Sequence, residues 1–356
     1  MSVSIINKAR SRKAALRYNH PSRNIRMILV GGNYGATATA LYLCEVLREG
    51  GDKVAVFTDR RSQIEGEAYE ERYDTSAETV QRAISHSRKR ARTVIMEVTD
   101  AVIASHVLAS LQCDMTIVTS DGDRASATLD VPSAYTVVPE SVSVESLSVA
   151  PHQLISFGDS ALAEARVGEV TLYRGGTEIT VTIDHQTTLS LSTYLLGRAN
   201  AYSVAAAVAA SYLLGISIDD FAEGIARLES VQANFEELDL GQVYRVYVDQ
   251  AADERSIDLI SASAKQLAKR RLLVVCDTSI PTAALDMLGK RADRVTVVEG
   301  EETDGRYHAD NGKHAIELTF RAAKKDDSVL ILGPQYASQL DNTTVAEMLS
   351  REVLEA

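Results

Sequence analysis

The sequence predicts an α/β fold: a doubly wound central domain followed by a smaller Rossmann-like α/β domain. Three features predict it. Short apolar runs alternate with stretches whose apolar residues recur three and four apart, the rhythm of strands and crossover helices. A glycine-rich turn at residues 31–35 joins the first such strand to the first long helix. The alternation lapses between residues 120 and 190 and resumes beyond residue 235. The expected divisions are a basic lead-in helix over residues 1–25, a central domain over 26–234 and a C-terminal domain over 235–356.

In chain order, Met27 to Val30 reads as a buried parallel strand, and Thr37 to Arg48 as a helix stopped by Gly50 and Gly51. Lys53 to Phe57 is the next strand, and Glu65 to Thr75 is polar loop. Ala77 to Arg90 is a helix, Thr93 to Val98 a strand, Ile103 to Leu111 a helix and Met115 to Thr119 a strand. Thr, Ser and Val dominate residues 120–190, where small β elements are expected, with a hairpin signal at Gly175 and Gly176. Residues 197–216 form an alanine-rich helix ending at Gly215, followed by a helix from Ile218 to Leu228. Beyond these, Val243 to Val248, Arg271 to Cys276, Val295 to Val298 and Ser328 to Leu332 read as strands. Ser256 to Lys269 and His314 to Lys324 read as helices.

Composition narrows the function classes. The 356 residues are 45% hydrophobic and 24% charged, ordinary values for a globular protein with sizeable cores. The net charge of −12 argues against nucleic acid as a partner. No apolar run is long enough to span a membrane. Cys44, Cys113 and Cys276 lie far apart in apolar runs, which suits reduced core residues in cytoplasm. No acidic residue precedes Glu45, whereas Lys8, Arg10, Arg12, Lys13, Arg17, Arg23 and Arg26 do. That start reads as a solvated helix; a transit peptide or an anion-binding arm is the alternative.

The chemistry-bearing stretch is residues 26–60. Strand, glycine turn, helix and strand make one βαβ unit, which sets backbone N–H groups at a helix N-terminus where phosphate binds. The central domain is P-loop-like in this respect, but Ala36 stands where a lysine usually completes the cradle. The same unit, with Asp59, Arg60 and Arg61 after its second strand, also fits a dinucleotide site in which an arginine meets a 2′-phosphate.

The order of these segments resembles the Mur ligase family, most closely its UDP-N-acetylmuramoyl-tripeptide synthetase branch, from about Arg12 onward. HPSRNIRMILVGGNYGATATA is similar to that family's phosphate-loop approach, and EVTDAV to its second magnesium segment. LLGRANAYSVAAAVAASYLLGI resembles its nucleotide-site helix, and SVQANFEELDLGQVYRVYVDQAADE its passage into the C-terminal domain. LILGPQYA falls where a glycine-rich strand end is expected. On this resemblance the family's N-terminal UDP-binding domain is expected to be absent. The resemblance implies ATP-dependent amide ligation: ATP phosphorylates a carboxylate, and an amine then displaces phosphate.

Carried over position by position, the resemblance implies nucleotide contacts at Gly32, Gly35, Thr37, Asn200 and Asp249, and magnesium contacts at Thr37 and Glu97. Much else is missing. Ala36 replaces the lysine, and losing one such transition-state contact costs on the order of a hundredfold or more in rate. Residues 90–264 contain no lysine, so none can be the family's carbamylated, magnesium-bridging one. Ala101 and Ala252 replace histidines, Ser203 an asparagine, Ala233-Asn234 a Gly-Arg pair, and Pro334-Gln335-Tyr336-Ala337 a Lys-Gly-His-Glu run. No arginine motif for selecting a diamino acid surrounds Glu299 to Glu302. Asp121 and Asp123 read as turn formers, with metal binding as the alternative. Framework positions persist while charged chemical positions are lost, and function lives in the site.

Three readings follow. The first is a catalytically degenerate homologue, a pseudoenzyme with ATP and magnesium binding weakened or lost. Its role would be regulatory or scaffolding in cell-wall peptide ligation, with an active Mur-type ligase or a second copy of itself as partner. The second is a nucleotide-dependent enzyme of altered chemistry, of NADP type. The third is a residual ligase in which Arg124 or Arg198 replaces the missing lysines. Locally, the glycine turn either still holds nucleotide or is a structural remnant. Glu97 is either a metal ligand or a solvent-exposed strand-end residue, and Asp249 either accepts ribose hydroxyls or caps a strand end.

Overall fold

The computed structural model describes residues 3–142, 153–239, 241–298, 307–309, 311–333 and 347–348. Two compact units emerge. The first comprises Met1–Val170, Glu178–Thr193 and Asn200–Glu229; the second comprises Thr171–Thr177, Tyr194–Ala199 and Ser230–Ala356.

The first unit opens with α1 (Val3–Arg17), β1 (Arg26–Gly31), α2 (Ala36–Glu49), β2 (Val54–Phe57), β3 (Ser62–Ile64) and β4 (Glu67–Ala68). Then come α3 (Ala77–Ser87), β5 (Thr93–Glu97), α4 (Asp100–Ala104), β6 (Met115–Val118), α5 (Asp123–Leu129) and β7 (Tyr135–Pro139). It closes with β8 (Gln153–Gly158), β9 (Ala165–Tyr173), β10 (Gly176–Ile183), β11 (Thr187–Thr193), α6 (Arg198–Leu213) and α7 (Ile218–Ala226), except that the adjoining ends of β9 and β10 within Thr171–Thr177 and the first two residues of α6 fall in the second unit. The strands form one sheet in the order β11-β10-β9-β8-β7-β6-β1-β5-β2-β3-β4. Its centre is parallel, from β2 through β5, β1, β6 and β7 to β8. The inner strands β1, β2, β5 and β6 are mostly apolar and almost wholly buried, as parallel strands covered on both faces are. β3 turns back antiparallel on β2.

Local chemistry sets the helix ends. Ser76 caps α3 by accepting the Thr79 N–H while the Thr79 hydroxyl accepts the Ser76 N–H. α7 lies against α2 at Gly224, where an added Cβ would fall 2.5 Å from the Val46 Cα. Ala205, Ala206, Ala207, Ala209 and Ala210 of α6 are all fully buried, as a helix packed on every side requires.

The second unit contains β12 (Glu236–Leu238), β13 (Arg245–Asp249), α8 (Glu254–Leu267), β14 (Leu272–Asp277) and α9 (Thr282–Arg291). It continues with β15 (Arg294–Val298), β16 (Tyr307–Ala309), α10 (Gly312–Ala322) and β17 (Ser328–Leu332). The sheet order is β12-β13-β17-β14-β15-β16. It is parallel except for β12, which runs antiparallel to β13. β17 enters between β13 and β14, so strand order reverses there as in doubly wound sheets. Arg271 and the buried Asp327 tie the start of β14 to that of β17, with guanidinium–carboxylate contacts of 2.6 and 3.2 Å.

Several expected elements differ. The helix expected over Ile103 to Leu111 is two short pieces, because His106 takes a left-handed φ of 56° between α4 and a 3-10 turn at Val107–Ser110. The polar loop from Glu65 to Thr75 contains β4. β7, β8, α5 and α9 were not anticipated as separate elements. Gly175, with φ 89°, turns the connection between β9 and β10. Cys44 and Cys276 are buried and Cys113 half-buried. Burial pushes the Cys44 thiol up to about 12. Among the described residues, no helix is long and apolar enough to cross a membrane.

Candidate functional site

The strand register builds the site. β1 and β5 are neighbours with Val30 opposite Glu97, so the turn after β1 and the carboxylate ending β5 meet at one sheet edge. Gly32 (φ 148°) and Gly35 (φ 79°) carry the chain from β1 into α2, whose first turn holds Thr37. The Thr37 hydroxyl donates to Glu97 Oε2 at 2.8 Å, and the Asp59 N–H donates to the same oxygen at 3.0 Å. The Tyr73 hydroxyl donates to the Glu97 backbone carbonyl at 2.8 Å. Glu97 is only 3% exposed, which corrects the solvent-exposed alternative. Burial raises its carboxyl above the usual range, against the pull of the Asp59 N–H, the Thr37 hydroxyl and the Arg124 charge.

Arg124 stands on the other side of that carboxylate, with Nη1 3.9 Å from Glu97 Oε1. Its Nε and Nη2 each donate to an oxygen of Asp100 at 2.9 Å, a bidentate fork. That hydrogen-bonded pairing with Arg124 holds the Asp100 carboxyl below its usual range.

The glycine turn is fastened from below. β6 runs beside β1, and Thr119, just past its end, donates its N–H to the Gly31 carbonyl at 2.9 Å and its hydroxyl to the Tyr34 carbonyl at 2.6 Å. Ser120 Oγ accepts the Tyr34 N–H at 3.0 Å. Gly122 lets the Asn33 side chain lie against the chain, since a Cβ there would come within 2.3 Å of Asn33 Nδ2. A backbone donor in the middle of the turn is therefore engaged by a side chain of the protein itself.

The remaining expected site residues fall as follows. Ala36 is buried and Ala101 exposed, so neither supplies a polar group. Asn200 is fully buried in α6. Ser203, on the same helix, donates its hydroxyl to the Gly35 carbonyl at 3.4 Å. Asp121 and Asp123 are exposed, Asp123 opening α5. Asp249 ends β13 in the second unit; its Oδ2 accepts the Phe235 N–H at 2.7 Å and its Oδ1 the Ala251 N–H at 2.6 Å. Arg198 belongs to that unit as well, where its N–H donates to Ser263 Oγ at 3.3 Å. Pro334-Gln335-Tyr336-Ala337 and Glu299 to Glu302 lie outside the described residues.

The structure thus gathers Gly32, Gly35, Thr37 and Glu97, with Ser203 of α6 against Gly35. Sequence reasoning did not foresee the bonds of Thr119 and Ser120 to the glycine turn, and it missed Tyr73 and Asp100. Adjacency of β6 to β1 was the signal that would have found the first two. Among the described residues, no group of three or more His, Cys, Asp or Glu side chains is placed to hold a metal ion. Residues 58–62 and 69–74, among them Asp59 and Tyr73, surround a hollow of about 160 Å³ beside β2.

No family model matches the chain. In sequence it is similar to the UDP-N-acetylmuramoyl-L-alanyl-D-glutamate–2,6-diaminopimelate ligase of Syntrophomonas wolfei, 24% identical over 286 residues that cover 74% of this chain and 58% of that protein. The ligase of the same name from Halalkalibacterium halodurans is 20% identical over 94% of this chain and 79% of its own length. The chain spans about 56–58% of the first two curated relatives it matches, which are the Syntrophomonas protein and a Bacillus cereus ligase of the same name. Among solved structures, a MurF ligase from Thermotoga maritima in complex with ADP matches with TM-score 0.74 and 14% identity, covering 99% of this chain and 85% of that one. A folylpolyglutamate synthetase from Lactobacillus casei matches with TM-score 0.69 and 17% identity, over 96% and 94%.

Proposed function

Since this chain is a Mur ligase relative in sequence and in fold, we propose that it is a catalytically silent member of that group, regulatory or scaffolding in cell-wall peptide ligation. Its partner on this reading is an active ligase or a second copy of the chain, in the cytoplasm. The observation that supports it most is the turn itself: Ser120 Oγ holds the Tyr34 N–H, and Ala36 brings a methyl where the resemblance expects a lysine. A migrating phosphoryl group needs positive charge and backbone donors aimed at its oxygens. Here one donor is spent and position 36 carries no charge.

The test is turnover. Purified chain is incubated with ATP, magnesium, UDP-N-acetylmuramoyl-L-alanyl-D-glutamate and 2,6-diaminopimelate, the compounds in its relatives' names. Phosphate release and product are then measured. No release above background is expected. Turnover abolished by Glu97→Ala would overturn the reading. The dinucleotide alternative is less well supported, because the hollow beside Arg60 and Arg61 is about 160 Å³ and ligand sites usually exceed about 300 Å³.

A further inference from the structure

We infer that the Arg124 guanidinium is the built-in counter-cation of Glu97 and excludes a divalent metal from the Thr37–Glu97 pair. This deepens the proposed loss of ligase chemistry by explaining how the metal position closed.

Magnesium takes six oxygens in near-octahedral array, commonly one or two carboxylates with waters and phosphates. Thr37 and Glu97 offer a single hydroxyl and a single carboxylate, and they bind each other at 2.8 Å. Glu97 Oε2 accepts the Asp59 N–H as well. The other oxygen, Oε1, is left for any metal, and that is the oxygen facing Arg124 Nη1 at 3.9 Å. The guanidinium is not a mobile surface group, because Asp100 grips it with both oxygens and its side chain is only 27% exposed. A dication on Oε1 would sit against this fixed positive charge beside a carboxylate that is 3% exposed, where like charges repel strongly. The residues present do not fit magnesium.

Arg124 also does what a metal would do for the apoprotein, since a buried carboxylate is costly without a compensating charge. The fork geometry suits this role: one edge clasps Asp100 and the remaining nitrogen points at Glu97. An arginine that pairs with two carboxylates, one of them buried, is a structural replacement for the ion.

The test is a Mn²⁺ titration without nucleotide, followed by electron paramagnetic resonance, on wild type, Glu97→Gln, Arg124→Ala, Arg124→Lys and the Glu97→Gln/Arg124→Ala double variant. Wild type is expected to bind no Mn²⁺ that depends on Glu97. Arg124→Ala should tighten Mn²⁺ binding by at least about tenfold, by removing the like charge. Arg124→Lys should behave as wild type, and the double variant should lose the gain. A Mn²⁺ site in wild type that Glu97→Gln removes would overturn the inference, as would no gain in folded Arg124→Ala. If Arg124→Ala does not fold, the comparison of wild type with Glu97→Gln decides alone. No ATP is used, so this inference and the absence of turnover can fail independently.

Discussion

Thr37 and Glu97 lie 60 residues apart in sequence and are joined by one hydrogen bond, the threonine hydroxyl donating to a carboxylate oxygen at 2.8 Å. The bond sits inside the protein, with Thr37 7% and Glu97 3% exposed. It connects the first turn of α2 to the end of β5 and makes the glycine turn part of the sheet's core rather than a loop upon it.

That burial gives a pH signature. Glu97 titrates above the usual glutamate range because burial penalises its charge. A raised native pKa favours the folded state below the unfolded value, and the advantage is lost as pH rises through the native value. Glu97→Gln keeps the size and an acceptor but does not titrate. The stability of wild type relative to Glu97→Gln should therefore be greatest in acid and decline as pH rises above the ordinary glutamate value of about 4. Urea unfolding at several pH values measures it. A flat difference would mean that Glu97 carries its charge in the fold without penalty.

Gly32 predicts a backbone effect. With φ 148°, and with an added Cβ 2.3 Å from Thr119 Oγ1 and 2.9 Å from the Ser120 nitrogen, it has no room for a side chain. Gly32→Ala should cost about 1–3 kcal/mol from strain of this kind. Gly51 is the control: its φ of 79° is also left-handed, but nothing lies within 4 Å of an added Cβ. Gly51→Ala should cost less, and thermal melts of the two variants side by side will show it.

The fold class was legible because short apolar runs such as Met27 to Val30 alternate with stretches of helical spacing, as strands and crossover helices of a sheet covered on both faces do. Other elements were hidden for physical reasons. α9 buries only Ala284 and Leu288, so its apolar stripe is too thin to register. β7 follows Pro132 and ends on Pro139, and the two prolines disguise a strand as loop. The apolar spacing from Ile103 to Leu111 continues across the break at His106, because periodicity does not report a single left-handed residue. At the site, single-residue chemistry could be read, including the missing lysine at Ala36. Pairings such as Tyr34 with Ser120, 86 residues apart, could not, because they depend on which strands become neighbours.

Asp249 predicts a stability loss within the second unit. Its two oxygens hold the N–H groups of Phe235 and Ala251, and the chain it secures includes Ala233 and Phe235 with φ of 53° and 50°. Asp249→Ala would leave two buried donors unmet and release that turn. A loss of about 1.5–3 kcal/mol is expected, the range for hydrogen bonds to a charged group. Asp249→Asn should also destabilise, since its amide keeps one acceptor and turns a donor toward the other N–H. If Asp249→Asn is as stable as wild type, the second bond contributes nothing.

Restoring the lysine tests how deeply the phosphate turn has changed. Ala36→Lys returns one positive charge to the head of α2, where the helix N-terminus already favours anions. It does not release the Tyr34 N–H, which stays on Ser120 Oγ at 3.0 Å, and it supplies no second lysine among residues 90–264. Ala36→Lys alone should leave ATP hydrolysis at background. Ser120→Ala removes the hydroxyl that holds the Tyr34 amide, and in combination with Ala36→Lys it should tighten ADP binding about tenfold over Ala36→Lys alone, in line with one hydrogen bond to a charged acceptor. Calorimetry with ADP measures the difference, and phosphate release measures turnover. Hydrolysis restored by Ala36→Lys alone would mean that the cradle is intact and only its cation was lost. A double variant no tighter than the single one would mean that the Ser120 bond does not compete with phosphate.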